Sequence, residues 1–478
     1  MSQKIKIAII DNGINRELVK KEKLRDEFVV DANNDCKEEH LEIQITDFMH
    51  GTICALIIEK YCPECVFSSI RILDQAGKGG IEKIEPALEW CCKNNIKIVN
   101  LSLGTTHFRE KGKLNKLINK YTYKGLIIVA AVSNIGYFTS PASFTNVIGV
   151  SNVESPLPYS KDYIHLGLDT VVISEHMIML GDKEHKTSPS NSYAAPYVTA
   201  LVAKEILQNE ICNIYKLKNF IRKKSQIPMG EDLYDPDWVY MAYMLNEKNG
   251  SKADYYFETV TDCYENIKQE IDTIIVFSKF ELEQIDIENK NLIYLGKEDI
   301  HNIDVQGFIW SSETRQRQIK HNYYQGHGLE IPVVILAVED SIDKFYVLTE
   351  LKRAFANSGY NAYVIGMEPE CVLYALEYMP EPVSNIDAWK NFIESQTFYK
   401  QSDLVIWCVP VQDQDKYLKV YPDYDVQIVL YNEEENNIVD FFFEGEKIEK
   451  KISGLIDRKD VEEIYHIIES KLTEEEDG

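Results

Sequence analysis

The chain has 478 residues, of which 45% are hydrophobic and 27% charged, an ordinary globular composition with room for more than one domain. Its formal net charge of −26 excludes a protein that works by neutralising nucleic-acid phosphate, because that task needs a basic face. No stretch approaches the roughly 18 consecutive apolar residues of a membrane span, so none is expected.

The first residues, Met1-Ser-Gln-Lys-Ile-Lys-Ile-Ala-Ile-Ile10, alternate too strongly and are too short for a secretory signal. They read as a first strand, and a cytoplasmic location follows as the expectation. Short β-rich runs at 4–10, 96–103, 126–131 and 147–150 are separated by helical patterns at 81–94 and 113–121, and another helix is expected from 193 to about 209. This alternation predicts a mostly parallel sheet covered by helices over 1–245. The polar stretch 246–252 is the predicted linker. A second α/β region is expected over 253–478, with strands at 273–277, 292–295, 308–310, 333–338, 362–366, 404–409 and 426–430. Its helices are placed at 342–358, 371–379, 386–400 and 461–472.

The ten cysteines are scattered. Cys62-Pro-Glu-Cys65 is the only C-x-x-C, and no second pair at zinc-binding spacing exists, so ordinary free thiols and no metal are expected.

Four segments bear groups that peptide-bond hydrolysis needs. Ile7-Ala-Ile-Ile-Asp11-Asn-Gly13 ends an apolar strand in an acid, and the C-terminal ends of parallel strands form the ligand face of such a sheet. Phe48-Met-His50-Gly-Thr52 puts a histidine at the start of an apolar helical stretch. Val129-Ala-Ala-Val-Ser-Asn134-Ile-Gly136 follows a strand with a side-chain amide donor. Ser190-Asn-Ser192-Tyr-Ala-Ala-Pro196 opens a helix, where a serine sits beside unpaired backbone N–H groups. A serine hydroxyl attacks a peptide carbonyl only when a base such as histidine takes its proton, a carboxylate orients that base, and donors await the oxyanion. Each segment alone also fits a structural role: a turn aspartate, a core histidine, a turn asparagine, an N-cap serine.

Together, in the order Asp…His…Asn…Ser, they resemble the signature blocks of the subtilisin-like serine peptidase family. The resemblance covers roughly residues 4 to 210. It implies a triad of Asp11, His50 and Ser192, with Asn134 in the oxyanion hole. Asn100-Leu-Ser102-Leu103-Gly104 resembles the family's substrate-pairing strand, which implies that Ser102, Leu103 and Gly104 bind substrate. Ser190-Asn191 departs from the family's Gly-Thr, Tyr193 from its Met, Ile53 from its second His and Ser133 from its Gly. A side chain at position 190 is expected to narrow the approach to Ser192. The calcium loops and the folding prodomain of many relatives are not recognisable, so calcium stays unassigned and no other cofactor is expected.

In the second region, Ile331-Pro-Val-Val-Ile-Leu-Ala-Val338 followed by Glu339-Asp-Ser-Ile-Asp-Lys344-Phe345 resembles a Rossmann-like, degenerate P-loop layout. Lys344 stands in place, but Val338 and Asp343 occupy the glycine positions and Phe345 that of Ser/Thr, so nucleotide binding is not expected. The Gly359-Tyr and Glu368-Pro-Glu contexts resemble α/β proteins of peptide-maturation systems, which implies precursor-peptide binding. The expected function is thus a serine endopeptidase that removes the leader of a ribosomally made peptide, with peptide or protein as partner and neither nucleic acid nor membrane. Its rivals are a general intracellular peptidase and an inactive subtilisin-like peptide binder.

Overall fold

The structure is a computed structural model, and it describes residues 4–38, 49–74, 76–154, 166–229, 233–246, 250–261, 264–300, 303, 305–322, 324, 326, 328–381, 386–433, 436–443 and 445–474. An eight-stranded sheet forms the N-terminal unit. Its order is Cys36–Glu38, Leu24–Val30, Cys65–Arg71, Ile5–Asp11, Ile98–Leu101, Ile127–Ala131, Ile148–Asn152, Thr170–Val172, parallel throughout except for the Cys36–Glu38 edge. Ile7, Ala8, Ile9 and Ile10 are all buried, the unbroken apolar run of a strand covered on both faces. Helices His50–Tyr61 and Asn191–Asn209 pack on one face and Ile84–Lys93 and Phe108–Tyr123 on the other.

The first strand lies between Cys65–Arg71 and Ile98–Leu101, so the chain leaves it toward both sides of the sheet. Such a switch point opens a crevice at the carboxyl ends of the strands. Asp11 ends that strand.

The helix Ile214–Arg222 locks onto the sheet through a buried ion pair. Lys218 Nζ lies 3.1 Å from Asp169 Oδ2 and donates to the carbonyls of Thr145 and Val147 at 2.6 and 2.8 Å. Asp169 Oδ2 also accepts the Gly149 N–H at 2.9 Å.

Beyond this unit a further α/β region follows, as expected, and its described residues build two sheets. Five parallel strands run in the order Glu258–Val260, Met241–Met244, Thr273–Val276, Asn291–Tyr294, Ile309–Ser311. Seven follow in the order Glu377–Tyr378, Ala362–Gly366, Leu404–Pro410, Val333–Val338, Val426–Glu433, Asn436–Phe443, Glu446–Ser453, the last two joined antiparallel. Met241–Met244 already belongs to the five-stranded sheet. The 246–252 stretch, whose residues 247–249 lie outside the described ones, therefore falls between two strands of one sheet. The helix expected at 371–379 is shorter: a 3₁₀ turn, Pro369–Tyr374, stops at Ala375, whose φ of 54° breaks the helix, and Glu377–Tyr378 is a strand.

The units share contacts. Trp238, Ala242, Val334 and Leu336 belong to one core that spans the second and third sheets. Tyr399, at the end of helix Ile386–Lys400, is buried in the core of the N-terminal unit, and its carbonyl accepts the Phe138 N–H at 2.9 Å. Arg109 Nε donates to Ala356 O at 2.7 Å, at the end of helix Lys344–Ser358. Among the described residues no helix is long and apolar enough to cross a membrane.

Candidate active site

Asp11 is 1% exposed at the end of its strand, and His50 begins the helix that packs over it. His50 Nδ1 lies 2.8 Å from Asp11 Oδ2. With Nδ1–H donated to the carboxylate, Nε2 is the basic nitrogen of the neutral ring. Gly51 makes the close approach possible: a Cβ there would meet Gly13 O at 2.5 Å. The Tyr193 ring stacks on the His50 ring at 5.1 Å between centroids, which limits the ring's movement.

Ser192 sits in the first turn of helix Asn191–Asn209. Asn191 pins that turn: its Oδ1 accepts the Asn152 N–H at 2.7 Å, and its Nδ2 donates to Val132 O and Ser133 O at 3.2 and 3.1 Å. The Asn191 N–H in turn donates to Asn134 Oδ1 at 3.1 Å, which leaves the Asn134 NH₂ as the outward donor. Ser192 Oγ pairs with Ser190 Oγ at 2.8 Å, and among the described residues no hydrogen bond joins it to His50.

Cys54 is the neighbour that sequence reasoning missed. It lies one helical turn after His50, and the i, i+4 spacing on a helix was the available signal. Its Sγ is 3.8 Å from His50 Nδ1, 3.6 Å from Ser102 Oγ and 3.8 Å from Ser192 O. Burial opposes a charge on the imidazole, but Cys54 and the hydrogen-bonded Asp11 outweigh it, and the His50 pKa is raised. Asp11, His50 and Cys54 place one ligand atom each within 4.8 Å of one another. That thiol–imidazole–carboxylate set suits a soft ion and not calcium, which takes oxygen ligands.

Ser102 Oγ donates to Ser192 O at 2.9 Å and accepts from Asn100 Nδ2 at 3.1 Å, so its side chain braces the backbone of the helix start. Leu103 and Gly104 line a cleft of about 340 Å³ whose opposite wall is Gly77–Gly80 with Ile72 and Ile81. Thr105 and Ser140 exchange two backbone hydrogen bonds of 2.8 Å at its end, and a Cβ on Gly104 would lie 2.8 Å from Ser140 O.

Away from this site, Cys62 and Cys65 are both buried free thiols. Lys344 Nζ is hydrogen-bonded to Glu368 and lies 3.6 Å from Asp340 Oδ1, so its charge is already matched.

A parallel sheet with a buried acid and a histidine at its switch point, faced by a serine-led helix, is the design of a subtilisin-like domain. Residues 2–236 match the model of the Subtilase family, and the N-terminal unit is subtilisin-like. Over 216 residues the chain is 26% identical to the Minor extracellular protease Epr of Bacillus subtilis (strain 168), covering 42% of this chain and 31% of Epr. Over 199 residues it is 25% identical to Subtilisin Savinase of Lederbergia lenta, covering 38% of this chain and 71% of that protein. The chain thus spans less than a third of the length of Epr. Among solved structures, a cold-adapted subtilisin-like serine proteinase aligns at a TM-score of 0.38 and 16% identity, over 48% of this chain and 85% of that one.

Proposed function

We infer that the chain is a serine endopeptidase with Asp11, His50 and Ser192 as its triad and Asn134 as an oxyanion donor. The observation that carries this reading is the Asp11–His50 hydrogen bond of 2.8 Å beside helix Asn191–Asn209, whose first turn carries Ser192. In the reaction Ser192 Oγ turns from Ser190 toward His50 Nε2, gives up its proton and bonds the substrate carbonyl carbon. Negative charge on the carbonyl oxygen is met by the Asn134 NH₂ and backbone N–H at the helix start. His50 returns the proton to the leaving amine, and a water, deprotonated the same way, releases the acyl group. Asp11 keeps the ring in the required tautomer and balances its transient charge.

The cleft at Leu103 and Gly104, walled by Ile72 and Ile81, favours an apolar substrate side chain. The biological task we assign is leader removal from a ribosomally made peptide, with the C-terminal units holding the precursor. The formal charge of −26 favours a basic peptide there. A cytoplasmic location, where such precursors are made, is part of this reading.

The test is labelling of the full chain with a fluorophosphonate probe. The parent should label once, at Ser192, and Ser192→Ala should not label. Full labelling of the Ala variant would remove Ser192 as nucleophile, and an unlabelled parent would favour a peptide binder without peptidase activity.

A further inference from the structure

A cavity of about 490 Å³ lies between the N-terminal unit and the seven-stranded unit. Helix Phe108–Tyr123 and segment 138–145 line one side, and helix Lys344–Ser358 and strand Ala362–Gly366 the other. Asp11, His50 and Ser192 do not line it. The volume is that of a small-molecule site, and the rings of Phe138, Tyr256 and Tyr374 contribute to its walls.

Its charges are unbalanced. Glu377 is shared by Lys400 at 2.7 Å and Arg315 at 3.4 Å. Asp235 accepts from Arg315 and from Gln318, both at 3.2 Å, and Asp237 from the Thr145 N–H at 3.1 Å. Three acids thus face four cations, Arg315, Lys400, Lys111 and Lys352, and among the described residues neither Lys111 nor Lys352 has a carboxylate at ion-pair distance. Lys111 has the Phe138 ring 4.5 Å from its ammonium, and among the described residues no carboxylate pairs with it. Among the described residues Lys352 donates to the Ala375 carbonyl alone. Burial, and then Lys111, push the Lys352 ammonium down to about 8. Among the described residues, two polar atoms of the cavity's own residues also find no partner: Arg315 Nε and Gln318 Oε1, on side chains belonging to residues 2% and 4% exposed.

Lys111 and Lys352 are half-buried beside the fully buried Arg315, and charges and donors drawn partly out of water without partners cost stability that a matching group would recover. The surplus is positive in a chain whose surface is strongly acidic.

We propose that this cavity binds a small organic anion, its carboxylate or phosphate held by Lys111, Lys352 and Arg315 and its aromatic or aliphatic body resting on the surrounding rings. The site is independent of the peptidase reading, and its test needs no turnover.

Full-length protein is titrated by calorimetry and followed by thermal unfolding with adenosine monophosphate and phenylacetate, and with their neutral counterparts adenosine and phenylacetamide. At least one anion should bind and raise Tm, its neutral counterpart binding roughly tenfold or more weakly. Binding of adenosine monophosphate alone would define a phosphate head, and of phenylacetate alone a carboxylate head. Lys111→Met and Lys352→Met should each weaken the anion roughly tenfold or more, since a charge-assisted hydrogen bond is lost. Without ligand both variants should melt at or above the parent, because each removes an unmatched cation. The proposal is overturned if no anion binds in the millimolar range, if binding survives both substitutions, or if both variants melt well below the parent.

Discussion

Ser190 Oγ lies 2.8 Å from Ser192 Oγ and accepts the Ser192 backbone N–H at 3.3 Å. One side chain thus engages both the hydroxyl proposed to attack and an N–H that would meet the oxyanion. It also caps the helix. Ser190→Gly frees both groups at little cost to the cap. The expected result is a kcat/KM several-fold higher, about the worth of one neutral hydrogen bond, with Tm slightly lower. Steady-state kinetics on a short peptide measures it, and a large fall in kcat would mean that Ser190 assists the reaction instead.

Asn134 is oriented by the Asn191 N–H, which occupies its Oδ1 and leaves its NH₂ outward. Asn134→Ala should lower kcat by roughly 10²–10³ with little change in KM, a magnitude known for the oxyanion asparagine of subtilisin itself. An unchanged kcat would reduce the segment after Val129 to a turn.

The acid limb of the pH profile should report His50. The base works only when neutral. Its pKa is raised above 6.5, with Cys54 and Asp11 outweighing burial, so activity should climb with pH through a range above that of an ordinary histidine. Cys54→Ala removes one of the raising influences and should move the limb toward lower pH. The rate of phosphonate labelling against pH gives the limb directly. A limb that stays put would show that the thiol does not act on the ring.

Lys218→Met strands the Asp169 carboxylate in the core. The cost should be about 3–5 kcal/mol in urea unfolding, the usual result of breaking one side of a buried pair. Adding Asp169→Asn should recover part of it, because the uncompensated charge is then gone. Equal losses in the single and double variants would locate the effect in the Thr145 and Val147 carbonyls that Lys218 also serves.

Lys344 should play no part in nucleotide binding, since Glu368 and Asp340 already surround its ammonium. Lys344→Ala should leave any affinity for adenosine phosphates unchanged by calorimetry. A loss of affinity would relocate phosphate from the interdomain cavity to this loop.

The N-terminal unit was legible because its strands are uninterrupted β-branched runs, and because its four chemical segments are local motifs at strand and helix ends. The cleft walls and Cys54 were less so. Cys54 looked like one more small residue on an apolar face, and only the folded helix brings it beside His50. The strand Met241–Met244 was hidden because it is short and holds an Ala, a weak strand former, so the polar 246–252 stretch beside it drew the eye first. The surplus of Lys111 and Lys352 could not be read at all, since their surroundings come from segments more than a hundred residues apart.

Tyr399 gives the contact between the units a further meaning. The stretch resembling known peptidases ends at 236, yet the core it builds is completed by a ring from position 399 and by a hydrogen bond to Phe138, four residues past Asn134. Ancestry and cooperativity therefore divide this chain at different places. A fragment cut where the homology stops would lack the Tyr399 ring in that core and leave a free N–H at Phe138, on the loop that carries Asn134. The later units act as a brace for that loop, and damage far downstream of Ser192 can reach the surroundings of Asn134 through the single residue Tyr399.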